Sequence, residues 1–144
     1  MNIYERLKED HDRHRQLAAE LVETSGDSEE RRALWKALQG EVEAHAAAEE
    51  QSLYATLLAE PKGHEKARHS VSEHKEAADL IDELADMDMS SPGWLLKFRK
   101  LKEELEHHMD EEESEVFARS QKILSERTAK ELARTFEARK AAEL

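Results

Sequence analysis

Cysteine is absent from this chain of 144 residues. Disulfides, thiolate-bound metals and cysteine nucleophiles are excluded at once, and the absence is compatible with a reducing compartment. Proline occurs twice, glycine four times, and aromatic residues make up only 5%, so little interrupts a helix and little favours a sheet. An all-α protein is expected. Long apolar runs are missing too. None approaches the ~20 residues of a bilayer span, and the start Met1-Asn2-Ile3-Tyr4-Glu5 turns polar at once, unlike a secretory leader. The expectation is a cytoplasmic protein with no membrane partner. A basic balance is also lacking. The net charge is -12, which argues against nucleic acid as a partner, because phosphate contacts need grouped Lys and Arg. The acidic surplus itself reads as solubility. The length suits one domain, 1–144, with a single core.

What is present is a repeat. His11, His45 and Glu49 recur 63 residues later as His74, His108 and Glu112. The flanks recur at the same offset: Leu17 with Leu80, Leu21 with Leu84, Trp35 with Phe98, Leu38 with Leu101, Val42 with Leu105, Glu50 with Glu113, Leu53 with Val116, Tyr54 with Phe117. Such a repeat points to two helix pairs packed on each other, each bringing two imidazoles and one carboxylate to the middle.

Apolar spacing places the helices. The first starts at Asn2, with Glu5 completing a capping box, and carries Tyr4, Leu7, His11, His14, Ala18 and Leu21 on one seam. Thr24-Ser25-Gly26-Asp27 stops it, and Asp27 with Glu30 opens the second helix, whose inner face holds Trp35, Leu38, Val42, His45, Glu49, Leu53 and Leu57. Glu60-Pro61-Lys62-Gly63 separates the repeats. The third helix turns Val71, His74, Ala78, Ile81 and Leu84 inward. A loop from Asp86 to Gly93 follows, with Ser91 as cap and Pro92 in the first turn of the fourth helix, which presents Phe98, Leu101, Leu105, His108, Glu112 and Val116. The bundle thus spans about 2–124. A fifth helix, about 126–143, has Leu132 and Phe136 on its stripe and no partner in the repeat, so it packs across the bundle or against another subunit.

Residues i and i+4 share a helix face, so His45 with Glu49 and His108 with Glu112 each converge on one point. That spacing alone is weak, because Glu fills 26 positions and His69 and His107 also have Glu at i+4. The repeat supplies the selection. His64, His69 and His107 lie off the seams and read as solvated; His14 reads as a hydrogen-bonded core or boundary residue, or a support for the ligands, rather than a ligand itself. Tyr4 reads as a core aromatic, and Tyr54 points about 180° away from His45 by α-helical phase. Without a cation, four imidazoles and two carboxylates would occupy core positions with no Lys or Arg on the same seams, and an unpaired buried carboxylate is costly. A metal removes the conflict. Six nitrogen and oxygen ligands are too many for a tetrahedral structural zinc and suit a pair of ions bridged by the two carboxylates, with iron the natural occupant and manganese or mixed metals as alternatives.

On these residues the chain resembles the hemerythrin-like, or HHE cation-binding, family. The carriers are Glu9-Asp10-His11, then His45-Ala46-Ala47-Ala48-Glu49-Glu50 with Leu53-Tyr54. Glu73-His74 follows, then His108-Met109-Asp110-Glu111-Glu112-Glu113 with Val116-Phe117. The resemblance implies an antiparallel up-down four-helix bundle around an oxo- or hydroxo-bridged non-haem di-iron centre. His11, His45, His74 and His108 would be its terminal ligands and Glu49 and Glu112 its bridges. The oxygen carriers of the family have a histidine where Ala78 stands, and an Asp five residues after the fourth-helix histidine where this chain has Glu112 four residues after. The pattern is similar to a four-His, two-Glu branch, found in bacterial proteins of oxygen, peroxide or nitric oxide responses and in a eukaryotic iron-sensing domain. The iron sensor has a further Glu where this chain has Ala46.

The resemblance implies a di-iron protein that binds or reacts with a small oxidant: hydrogen peroxide, O2 or NO. Two alternatives remain open: a sensor or carrier of O2, NO or iron without turnover, and a metal-free structural bundle. A monomer or homodimer is expected, and the redox partner is not readable from the sequence.

Overall fold

The computed structural model describes residues 1–144, which form five helices and no strand. Helix α1 spans Ile3–Leu21, and Asn2 and Glu5 form the expected capping box. Helix α2 spans Glu29–Glu49 and runs on through a π-helical turn, Glu50–Tyr54, into Ala55–Leu58. Its cap is Ser28, not Asp27 as the sequence suggested: the Ser28 side chain accepts from the Arg31 amide. Asp27 instead pairs with Arg32 at the turn, where Gly26 takes a positive φ of 58°. Helix α3 spans His64–Asp86. Helix α4 spans Pro92–Glu111, passes through a second π-helical turn, Glu112–Val116, and ends with Phe117–Ile123; Ser91 caps it and Pro92 sits in its first turn. Helix α5 spans Glu126–Glu143 with Ser125 as cap.

Short connections make successive helices antiparallel, and α1 packs on α2, α3 on α4, α1 on α4 and α2 on α3. Two apolar clusters fill this four-helix bundle. One joins Leu17, Leu21, Trp35, Leu38, Leu80, Leu84, Trp94, Phe98 and Leu101. The other joins Ile3, Tyr4, Leu7, Leu53, Tyr54, Leu57, Phe117, Leu132 and Phe136. Along all four helices the histidine and glutamate positions of the repeat fall between the two. The second cluster is closed by α5, which lies across α1, α2 and the first π-turn rather than being left for another subunit. No helix is long and apolar enough to cross a membrane.

Candidate metal centre

The structure brings together all six side chains that the repeat selects. His11 and His45 gather with Glu49 and Glu112, and His74 and His108 gather with Glu49. Each carboxylate therefore stands between two histidine pairs. Glu49 Oε1 lies 3.1 Å from His74 Nε2 and 3.6 Å from His45 Nε2. Glu112 Oε1 lies 3.0 Å from His11 Nε2, and its Oε2 lies 3.7 Å from His108 Nε2. Both glutamates are 0% exposed, which makes solvation of their charge impossible and a compensating partner necessary.

The outer ring nitrogens fix the rings. His11 Nδ1 meets Glu113 Oε2 at 2.7 Å, His45 Nδ1 meets Asp10 Oδ2 at 2.8 Å, His74 Nδ1 meets Glu50 Oε2 at 3.1 Å and His108 Nδ1 meets Glu73 Oε1 at 2.9 Å. A neutral imidazole that donates from Nδ1 keeps a lone pair on Nε2, so all four lone pairs aim at the interior. These supports obey the repeat as well: Asp10 maps to Glu73 and Glu50 to Glu113. They cross between helices, α1 with α4, α2 with α1, α3 with α2 and α4 with α3.

The interior fits a cation. Both oxygens of Glu49, Oε1 of Glu112 and Nε2 of His108 are buried without a hydrogen-bond partner. Lone pairs of nitrogen and oxygen face one another across the layer, an arrangement that positive charge resolves. The electrostatics carry the same conflict. Burial and the neighbouring Glu49 charge push the Glu112 carboxyl well above the usual range. Burial acts on Glu49 in the same direction, but His45 and His74 outweigh it and hold Glu49 well below its ordinary value.

Tyr54 departs from the sequence reading. Its hydroxyl donates to Glu112 Oε2, and its ring lies 5.4 Å from that of His74. The reading assumed continuous α-helical phase; the π-turn at Glu50–Tyr54 holds an extra residue per turn and rotates Tyr54 inward. Tyr4 is the core aromatic expected, bonded to Ser120 Oγ at 2.7 Å and packed on Phe117. His14 is buried, its ring 5.1 Å from His45, and burial with the nearby His45 pushes it well below its ordinary value; its Nε2 has no partner. It is thus a core residue, as one of the sequence readings had it, but without the hydrogen bond expected at Nε2.

Basic residues absent from the seams arrive from elsewhere. Asp10 Oδ1 receives Arg6 Nη1 at 2.6 Å and Lys140 Nζ of α5 at 3.0 Å, and Arg15 reaches Glu113 at 2.8 Å. The fifth helix thus reaches the carboxylate that holds His45. On the side of the layer facing the first apolar cluster lies a cavity of about 60 Å³, bordered by His11, His14, His45, His74 and His108 together with Ala77, Ala78 and Met109.

Fold and site together define a helical bundle with a buried His/Glu cation site. The chain belongs to the hemerythrin family: the profile of the hemerythrin HHE cation binding domain matches residues 2–120. A crystal structure of a hemerythrin HHE cation binding domain-containing protein from Mycobacterium kansasii is similar over 99% of this chain and 87% of that one, with a TM-score of 0.88 and 28% identity. No curated protein sequence matches the chain.

Proposed function

We propose that this protein holds two iron ions and uses them to bind or transform a small oxidant: hydrogen peroxide, O2 or NO. The observation that carries the reading is the set of buried, partnerless oxygens on Glu49 and Glu112 facing ring nitrogens of two histidine pairs. His11 with His45 would hold one ion and His74 with His108 the other, with Glu49 and Glu112 spanning both. Nitrogen and carboxylate donors without thiolate suit iron, and manganese is the nearest substitute. A pair of irons supplies redox capacity and open positions for an exogenous ligand.

The chain's own residues supply the rest. Four carboxylates hold the imidazoles in orientation, and Tyr54 and the second apolar cluster close the layer on the side away from the cavity. Ala78, where the oxygen carriers have a histidine, borders the cavity. About 60 Å³ exceeds the ~10–15 Å³ a single water requires, room enough for a small oxidant.

The test is metal content of the purified protein together with near-ultraviolet absorption before and after peroxide. Two irons per chain and a spectral change are expected, and O2 evolution would separate turnover from retention. The His45→Ala, His108→Ala double variant should carry less than one iron per chain. Two irons retained by that variant would defeat the assignment.

A further inference from the structure

A second group of metal-binding side chains lies on the outer face of α3 and α4. Glu111 stands between two exposed histidines, with Oε1 3.1 Å from His69 Nε2 and Oε2 3.1 Å from His107 Nε2. Glu73 turns Oε2 toward the same nitrogens at 3.6 and 3.8 Å. Its other oxygen, Oε1, is the one that holds His108 Nδ1. Neither carboxylate pairs with a Lys or Arg.

The other half of the molecule shows what belongs opposite Glu73. The repeat maps Glu73 onto Asp10 and His69 onto Arg6. Asp10 divides its oxygens in the same way: Oδ2 holds His45 Nδ1, and Oδ1 faces the Arg6 guanidinium and the Lys140 ammonium. Two built-in cations thus balance Asp10 on the outside. Glu73 has in their place two imidazoles and a second carboxylate, which are ligands for a cation.

The distances are compatible with an ion as well as with direct pairing. Charge-assisted imidazole–carboxylate bonds close to roughly 2.7–2.9 Å. A tetrahedral ion with bonds of about 2.0–2.2 Å separates its ligands by about 3.3–3.6 Å. His69 Nε2 lies 3.1 and 3.6 Å from the two carboxylates, close to that edge length, and one ligand atom from each of His69, Glu73 and Glu111 lies within 4.8 Å of the others.

We propose that His69, Glu73 and Glu111 form a peripheral site for an exchangeable divalent transition cation, with His107 paired to Glu111 beside it, occupying the place that Arg6 and Lys140 fill in the other half. Nitrogen and carboxylate ligands at a solvent-facing position suit zinc or ferrous iron. The ion draws charge from Glu73, and so bears on His108 as Arg6 and Lys140 bear on His45. The site is built from residues outside the central ligand set and stands whether or not that set holds iron.

The test uses zinc as probe. Purified wild-type protein and the His69→Ala, His107→Ala variant are washed with EDTA, equilibrated with Zn2+, and their total iron plus zinc counted by plasma mass spectrometry. The expected result is one more ion per chain in the wild type, with that zinc absent from calorimetric titration of the variant. Glu111→Gln should lose the same ion. Because only the difference is read, the central layer cancels: if it held nothing, the wild type would still bind one zinc and the variant none. Equal counts, or a difference of two or more, would overturn the proposal. Both histidines are exposed, so the variant should match the wild type in circular dichroism.

Discussion

Tyr54 shows how a single residue reports on backbone geometry. Its inward position follows from the π-turn, and no residue in Glu50–Tyr54 announces that turn in the sequence. The four ring-holding carboxylates were more legible, since each obeys the 63-residue offset, but knowing which helix each reaches required the bundle. Tyr54→Phe removes the only donor to Glu112 Oε2. The metal-free protein should lose about 1–3 kcal/mol in urea denaturation, the usual penalty of a stranded buried acceptor, while iron content stays at the wild-type level. Unchanged stability would show that the phenol is not needed there. Titration gives a further residue-scale expectation. In the metal-free protein burial pulls His74 down, but Glu49 and Glu50 outweigh it and raise it to about 9. Its stabilising contribution is complete below the unfolded value of ~6.5 and is lost as pH rises toward 9. His14 has the opposite sign: held well below its ordinary value, it costs stability as pH falls below ~6.5. Melting of the metal-free protein should therefore peak near neutrality, and a plateau extending to pH 9 would contradict the His74 assignment.

At the scale of elements, the boundaries followed local chemistry that the sequence displays: the Asn2 and Ser91 caps, Pro92, and the break at Glu60–Gly63. Ser28 displaced Asp27 because its hydroxyl sits one residue closer to the first free amides. The fifth helix was visible as an amphipathic stripe, yet its partner was not, because nothing repeats it. Its docking reaches beyond apolar cover. Lys140 is buried between Asp10 and Glu41, bonded to both at 3.0 and 2.9 Å. Lys140→Met should destabilise by about 2–4 kcal/mol, somewhat below the usual 3–5 for breaking a buried pair, since Arg6 still faces Asp10 and Glu41 reaches solvent. Chemical denaturation of the metal-free protein measures this, and a change under ~0.5 kcal/mol would mean that the docking of α5 does not depend on this buried pair.

At the scale of the molecule, two apolar clusters are separated by a layer whose lone pairs oppose one another. Binding of ions to the folded chain alone would add roughly 4 kcal/mol per site at a free concentration about 1,000 times Kd. Chelation should accordingly lower the melting temperature, and restored iron should raise it again. A melting curve indifferent to chelator would favour the metal-free structural bundle. The expectation of a cation came from the sequence alone, because burying four imidazoles and two carboxylates with no Lys or Arg on their seams conflicts with marginal stability on charge grounds.

The division of the interior also has an optical consequence. The chain has two tryptophans and two tyrosines. Both tryptophans, Trp35 and Trp94, stack edge-on at 5.6 Å in the cluster that borders the cavity, while Tyr4 and Tyr54 belong to the cluster covered by α5. Indole emission therefore reports on one half of the core and phenol absorbance on the other. Each half can be followed by its own light, without a label.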